Sequence, residues 1–157
     1  MDVHNFLSLV VSESLLTSEI QPFRPMTKQI SRLLSIIAAT VWISLSEFLR
    51  NEVLFKDKWN RHYEGLGLEF PSEPLNGALW VLWSLLMAIF LSGLLRFMPL
   101  RLTIFWGWWA SFLMMWLVVG NLAVLPLSIL WVAVPWSAVE VGVAVGMLYY
   151  LRKEKEE

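Results

Sequence analysis

The sequence predicts an all-α, polytopic membrane protein: a bundle of four transmembrane helices with short interfacial helices. Composition is the first reason, since 57% of the 157 residues are hydrophobic, only 16% are charged, and the mean hydropathy is +0.61. A soluble domain carries about 25% charge, because its surface must be wetted. Clustering of the charge is the second, since Glu140 is the one acid or base between Leu102 and Leu151. The third is that four apolar runs, each close to the ~20 residues a helix needs to cross hydrocarbon, are separated by short charged or proline-containing links.

Residues 1–29 are expected to form an amphipathic cytoplasmic or interfacial segment. Met1 to Gln21 lacks the basic start of a signal peptide, and Glu13 and Glu19 interrupt its apolar residues. Phe6, Leu9, Val10, Leu16 and Ile20 roughly follow helical spacing, with Ser12, Glu13, Thr17 and Glu19 largely opposite. The two prolines of QPFRPM end that helix.

Residues 30–151 make up the transmembrane domain. Span one is expected over 33–49, bracketed by Arg32 and Arg50; it is short for a crossing, so the helix should extend beyond it at one or both ends. The outer loop, 50–76, mixes Val53, Leu54, Phe55, Trp59, Tyr63, Leu66 and Leu68 with charges. That mixture suits the headgroup layer and predicts a short helix over 53–64, ended by Gly65 and Gly67, with Trp59, His62 and Tyr63 as candidate interfacial contacts. Pro71 and Pro74 stiffen the return.

Span two follows over 77–95, then the basic turn RFMPLR, then span three over 102–120. The uncharged link GNLAVLP places Pro126 in the first turn of span four, 127–151. That last span is longer than an upright crossing requires, and Pro135 removes a backbone donor, so a kink or tilt is expected there. Residues 152–157 form a charged tail. The ten tryptophans suit interfacial anchoring and packing.

Orientation follows from Lys and Arg. With four spans, Arg24, Lys28, Arg32, Arg96, Arg101, Arg152, Lys153 and Lys155 share one side, against Arg50, Lys56, Lys58 and Arg61 on the other. The excess predicts a multi-pass protein of the cell membrane with both termini cytoplasmic.

The polar residues inside the spans define a candidate site. Glu140 lies roughly 20 Å from Leu127 and roughly 17 Å from Leu151, near the bilayer centre. Holding a carboxyl there costs several kcal/mol unless it is paired, hydrated or neutral. No Lys or Arg is expected at that depth, so Glu140 should be neutral, hydrogen-bonded across the bundle, or paired with another subunit. On span one, Thr40, Ser44, Glu47 and Asn51 recur on one helical face. Thr40 and Ser44 are expected to approach Glu140, with Glu47 paired to Arg50 nearer the outer edge and a pocket opening outward past Glu47 and Asn121; Ser84 of span two is a further donor. Ala138, Gly142 and Gly146 on span four, and Ser84, Ala88 and Ser92 on span two, form small-residue faces that let another helix approach closely, within the chain or from a partner.

Other chemistry is poorly supported. A net charge of −1 argues against a nucleic-acid partner, and the absence of cysteine removes disulfides and thiolate chemistry. His62 with Glu52, Asp57 and Glu64 does not make a zinc-ligand pattern, and Glu52, His62 and Trp59 are the weak candidates for an interfacial enzyme site. No phosphate loop, nucleotide fingerprint or nucleophile elbow is present. No cofactor or metal is expected.

Span one followed by EVLFKDKW and then GLGL, with three further spans on short links, resembles an uncharacterised prokaryotic family of small four-helix membrane proteins, a domain of unknown function. The resemblance covers residues 33–151 and implies architecture without an activity. The outer loop is longer here, and NEVLF stands where that family tends toward an aromatic-rich exit.

Two functions therefore lead. The first is an accessory or assembly subunit packing against a larger membrane complex or a homo-oligomer, with membrane lipids as its surroundings. The alternative is a small transporter or channel-like protein that uses Glu140 and the Thr40–Ser44–Glu47–Asn51 face for a proton, an ion or a small solute. A membrane-interface enzyme ranks third.

Overall fold

The computed structural model describes residues 26–153. The expectations for the segment before Met26 and for the tail beyond Lys153 lie outside the described residues. Four helices are long and apolar enough to cross a membrane, and every described helix belongs to one crossing or to the loop helix between spans one and two. The protein is an all-helical membrane protein.

Helix α1, Met26–Phe48, continues as a π-helical stretch over Leu49–Leu54, where the Phe55 amide reaches back to the Arg50 carbonyl at 3.0 Å. It overruns the expected 33–49 at both ends. No Gly or Pro breaks the run from Met26 to Leu54, and a helix satisfies its own backbone where lipid offers no partner. Polar residues near the ends therefore stay helical.

Helix α2, Lys56–Gly65, is the loop helix. It ends in a Schellman turn: the Leu68 amide bonds to the Tyr63 carbonyl at 2.9 Å and the Gly67 amide to the Glu64 carbonyl at 3.0 Å. Gly67 takes the left-handed conformation (φ 71°) that this turn needs.

Helix α3, Pro74–Leu94, is span two, with proline in its first turn, where the missing amide costs nothing. Span three is one crossing in three parts: α4, Leu100–Trp108, a π-helical stretch, Trp109–Leu113, and α5, Met114–Asn121. Span four opens with a 3-10 turn, Leu127–Ile129, and becomes α6, Leu130–Lys153, which runs through Pro135 as one helix.

Span one packs against both span two and span four, and span three packs mainly on span four. The start of span one and the end of span four meet on one side, here the tail side, where the Ser31 hydroxyl donates to the Leu151 carbonyl at 2.8 Å. Arg152 adds to this clasp by donating to Ser35 at 3.3 Å and to Ser92 of span two. The loop side carries α2 and the link between spans three and four. The core runs between these ends and includes Ala39, Ile43, Ala88, Leu91, Phe112, Val141, Val145 and Leu148. Leu33, Leu86, Leu117, Trp131 and Val139 point outward, an apolar exterior that suits lipid.

The two small-residue faces have different uses. Ser84, Ala88 and Ser92 are buried inside the chain. Around Gly142 and Gly146, by contrast, a methyl group would meet nothing within 4 Å, and Ala138 is exposed.

Candidate functional site: a buried ion cluster between spans one and four

On span one, positions 39, 43, 46, 47 and 50 fall on one side of the helix and are buried. The last three bring Ser46, Glu47 and Arg50 to the flank of α6 that carries Glu140. Arg50 donates to Glu47 in an ion pair one turn apart, and its other terminal nitrogen, Nη1, lies 4.0 Å from Glu140 Oε2. All three charged residues are at most 4% exposed.

The expectation that no basic residue reaches the depth of Glu140 is corrected by Arg50. Arg50 ends the apolar run of the sequence, which sets its backbone at the edge of span one. The helix continues to Leu54, however, and side chains on a helix lean toward its N-terminus. From the loop-side end of α1, that direction is into the membrane.

Hydrogen bonds fix the cluster on both helices. The Ser46 hydroxyl donates to Glu140 Oε2 at 2.6 Å and accepts from the Trp136 indole at 2.9 Å. The Trp42 indole donates to the Glu140 carbonyl at 3.0 Å. On the loop side, Asn51 donates to Glu47 Oε2 at 2.8 Å and accepts from the Trp59 indole at 3.1 Å. A continuous polar chain thus runs from Trp59 of the loop helix to Trp136 of span four.

The hydroxyl that meets Glu140 is therefore that of Ser46. Thr40 donates to the carbonyl of Ile36 in its own helix at 2.8 Å, and the Ser44 hydroxyl is buried without a hydrogen-bond partner. Residues two apart on a helix point about 160° away from each other at 3.6 residues per turn. A neighbour contacted by Ser46 is thus out of reach of Ser44. Asn121 is exposed at the end of α5, and the Ser84 hydroxyl bonds to the carbonyl of Trp80 at 2.9 Å.

Trp42, Ser46 and Trp136 were not singled out from the sequence. Their signal was there: Trp136 precedes Glu140 by four residues and Trp42 precedes Ser46 by four, so each pair shares a face.

The candidate interfacial residues make contacts within the chain. Trp59 bonds to Asn51, Tyr63 stands edge-on to Phe70 at 5.4 Å, and His62 Nε2 lies 2.9 Å from the carbonyl of Ala123. The loop helix is thereby tied to the link between spans three and four. No group of three or more His, Cys, Asp or Glu that could hold a metal occurs among the described residues.

A groove of about 630 Å³ lies away from these residues, between spans two and three, and is lined by Trp83, Met87, Phe90, Met114, Met115 and Val119 among others. It is apolar and open toward the membrane. No family model, curated protein or solved structure matches the chain.

Proposed function

We propose that the protein is an accessory subunit that packs as a preformed four-helix unit against another membrane helix, from a larger complex or a second copy. The observation that carries this reading is that the polar residues of the membrane interior are engaged chiefly with one another. Glu47, Arg50, Ser46, Glu140 and the indoles of Trp42 and Trp136 close spans one and four together, and the groove elsewhere is apolar. The Ala138–Gly142–Gly146 face of α6, in contrast, is left open to a neighbour. Small residues let helix backbones approach, and dispersion then supplies the association that lipid cannot.

Native mass spectrometry of the full chain in nanodiscs tests this. The expected result is a complex with a second copy or another membrane protein, weakened by Gly146→Leu. A strictly monomeric wild type that carries ions or solutes across proteoliposomes would overturn it in favour of the transporter reading. The unpartnered Oε1 of Glu140 favours that second reading.

The described ends of the chain lie on one side, and the Lys and Arg excess there supports cytoplasmic termini in the cell membrane. A reporter domain fused to the C-terminus should be cytoplasmic; activity on the far side would reverse the orientation.

A further inference from the structure

The ion cluster does not balance. Two carboxyl groups, on Glu47 and Glu140, flank one guanidinium, that of Arg50, so with both acids ionised one negative charge is left over. Among the described residues, the other groups facing it are neutral: Ser46 and Asn51 from span one, Trp136 from α6, and the ring face of Phe112 from span three. An uncompensated charge in a protein interior surrounded by lipid is strongly disfavoured.

The surplus can be traced to one atom. Glu47 is engaged at both oxygens, by Arg50 and by Asn51. Glu140 is not: Oε2 takes the Ser46 hydrogen bond and faces Arg50, while Oε1 is buried without a partner. The carboxylate therefore presents a desolvated acceptor, in a cluster where Arg50 Nη1 is likewise buried without a hydrogen-bond partner.

We propose that Glu140 Oε1 binds one monovalent cation, a proton or an alkali-metal ion, which neutralises the cluster. Charge complementarity sets the valence, since a divalent ion would replace an excess of one negative charge by one positive. This inference is independent of the accessory reading, which concerns the outer face of span four.

The test uses the full chain in nanodiscs, with two readouts on wild type, Glu140→Gln and Glu47→Gln. Infrared spectroscopy looks for the carbonyl stretch of a protonated carboxylic acid at neutral pH, assigned by its shift with carbon-13 glutamate. Unfolding midpoints are compared in sodium, potassium and a bulky organic cation at one ionic strength and pH.

If the cation is a proton, wild type shows the acid band and both variants lose it, because each leaves a single carboxylate opposite Arg50. If it is an alkali-metal ion, there is no acid band, the wild-type midpoint rises with sodium or potassium, and both variants lose that rise. The absence of both signals in wild type overturns the proposal, and so does either signal surviving in Glu47→Gln. Should one variant fail to accumulate, the labelled wild type and the other variant still decide.

Discussion

The Arg50 guanidinium lies over the face of the Phe112 ring, 5.4 Å from its centroid. Phe112 is fully buried, stands edge-on to Trp83 at 5.6 Å, and packs against Trp116 at 5.5 Å. Trp83 in turn lines the groove between spans two and three. Phe112 thus touches the charged cluster on one face and the wall of a lipid-facing groove on another. Span three, which supplies no charge to the cluster, still contributes to holding it.

Removing that ring should cost more than its volume alone. Phe112→Leu keeps most of the volume and loses the ring face, for about 1 kcal/mol beyond repacking. Phe112→Ala should cost about 3–5 kcal/mol. Arg50→Gln leaves two buried acids without their base, and about 3–5 kcal/mol is expected. Equilibrium unfolding in mixed micelles or bicelles measures all three. An Arg50→Gln variant as stable as wild type would show that the cluster does not hold the spans together.

Two neighbouring serines should behave oppositely. Ser46→Ala removes a hydroxyl that donates to Glu140 and accepts from Trp136, leaving both groups short of a partner, and should cost about 1–3 kcal/mol. Ser44→Ala removes a buried hydroxyl that has no hydrogen-bond partner and should be neutral or stabilising. Unfolding midpoints measured side by side check the contrast; equal losses would contradict it.

Glycines separate folding from association. A methyl group on Gly107 would run into the buried side chain of Leu91 on span two, so Gly107→Ala should lose about 1–3 kcal/mol through overpacking. A Cβ at Gly146 meets nothing within 4 Å, so in Gly146→Leu the unfolding midpoint of the monomer should hold while association in nanodiscs falls. A destabilised Gly146→Leu monomer would mean that this face is already occupied.

The link between spans three and four carries a strained residue. Ala123 has a positive φ of 59°, a conformation that costs an L-residue about 1–2 kcal/mol. Ala123→Gly relieves it against a smaller loss of chain entropy, for a net gain of about 0.5–1 kcal/mol. Its carbonyl should keep the contact with His62. A lower midpoint would indicate that the glycine loosens that tether.

The four spans were legible because the length of an apolar run is set by bilayer thickness and nothing else in the fold has to be known. Their ends were less so. Lys28 and Glu52 read as flanks, yet they remain in the first long helical run because a helix meets its own hydrogen-bonding needs. Glu140 stood out as a lone carboxyl in a long apolar stretch. Its partners did not, because periodicity shows that Thr40, Ser44, Glu47 and Asn51 share a face without showing which helix that face meets. Choosing Ser46 over Ser44 requires the rotation of α1 against α6, a tertiary quantity. Arg50 was misplaced for a different reason: its position marks the end of an apolar run, but its reach is governed by the lean of the side chain.

The π-helical stretches give spans one and three a tolerance that span two lacks. Such a stretch holds an extra residue in a widened turn while the α-helix on either side keeps its phase. Within Trp109–Leu113, deletion of one residue can be absorbed by tightening the turn, leaving Thr103 and Trp116 on their original faces. The same deletion in the middle of span two has no slack to draw on, and every later residue would rotate by about 100°. Leu91 and Ser92 would swing out of the core. Changes in chain length therefore have safe places in this bundle, and the aromatic centre of span three is one of them.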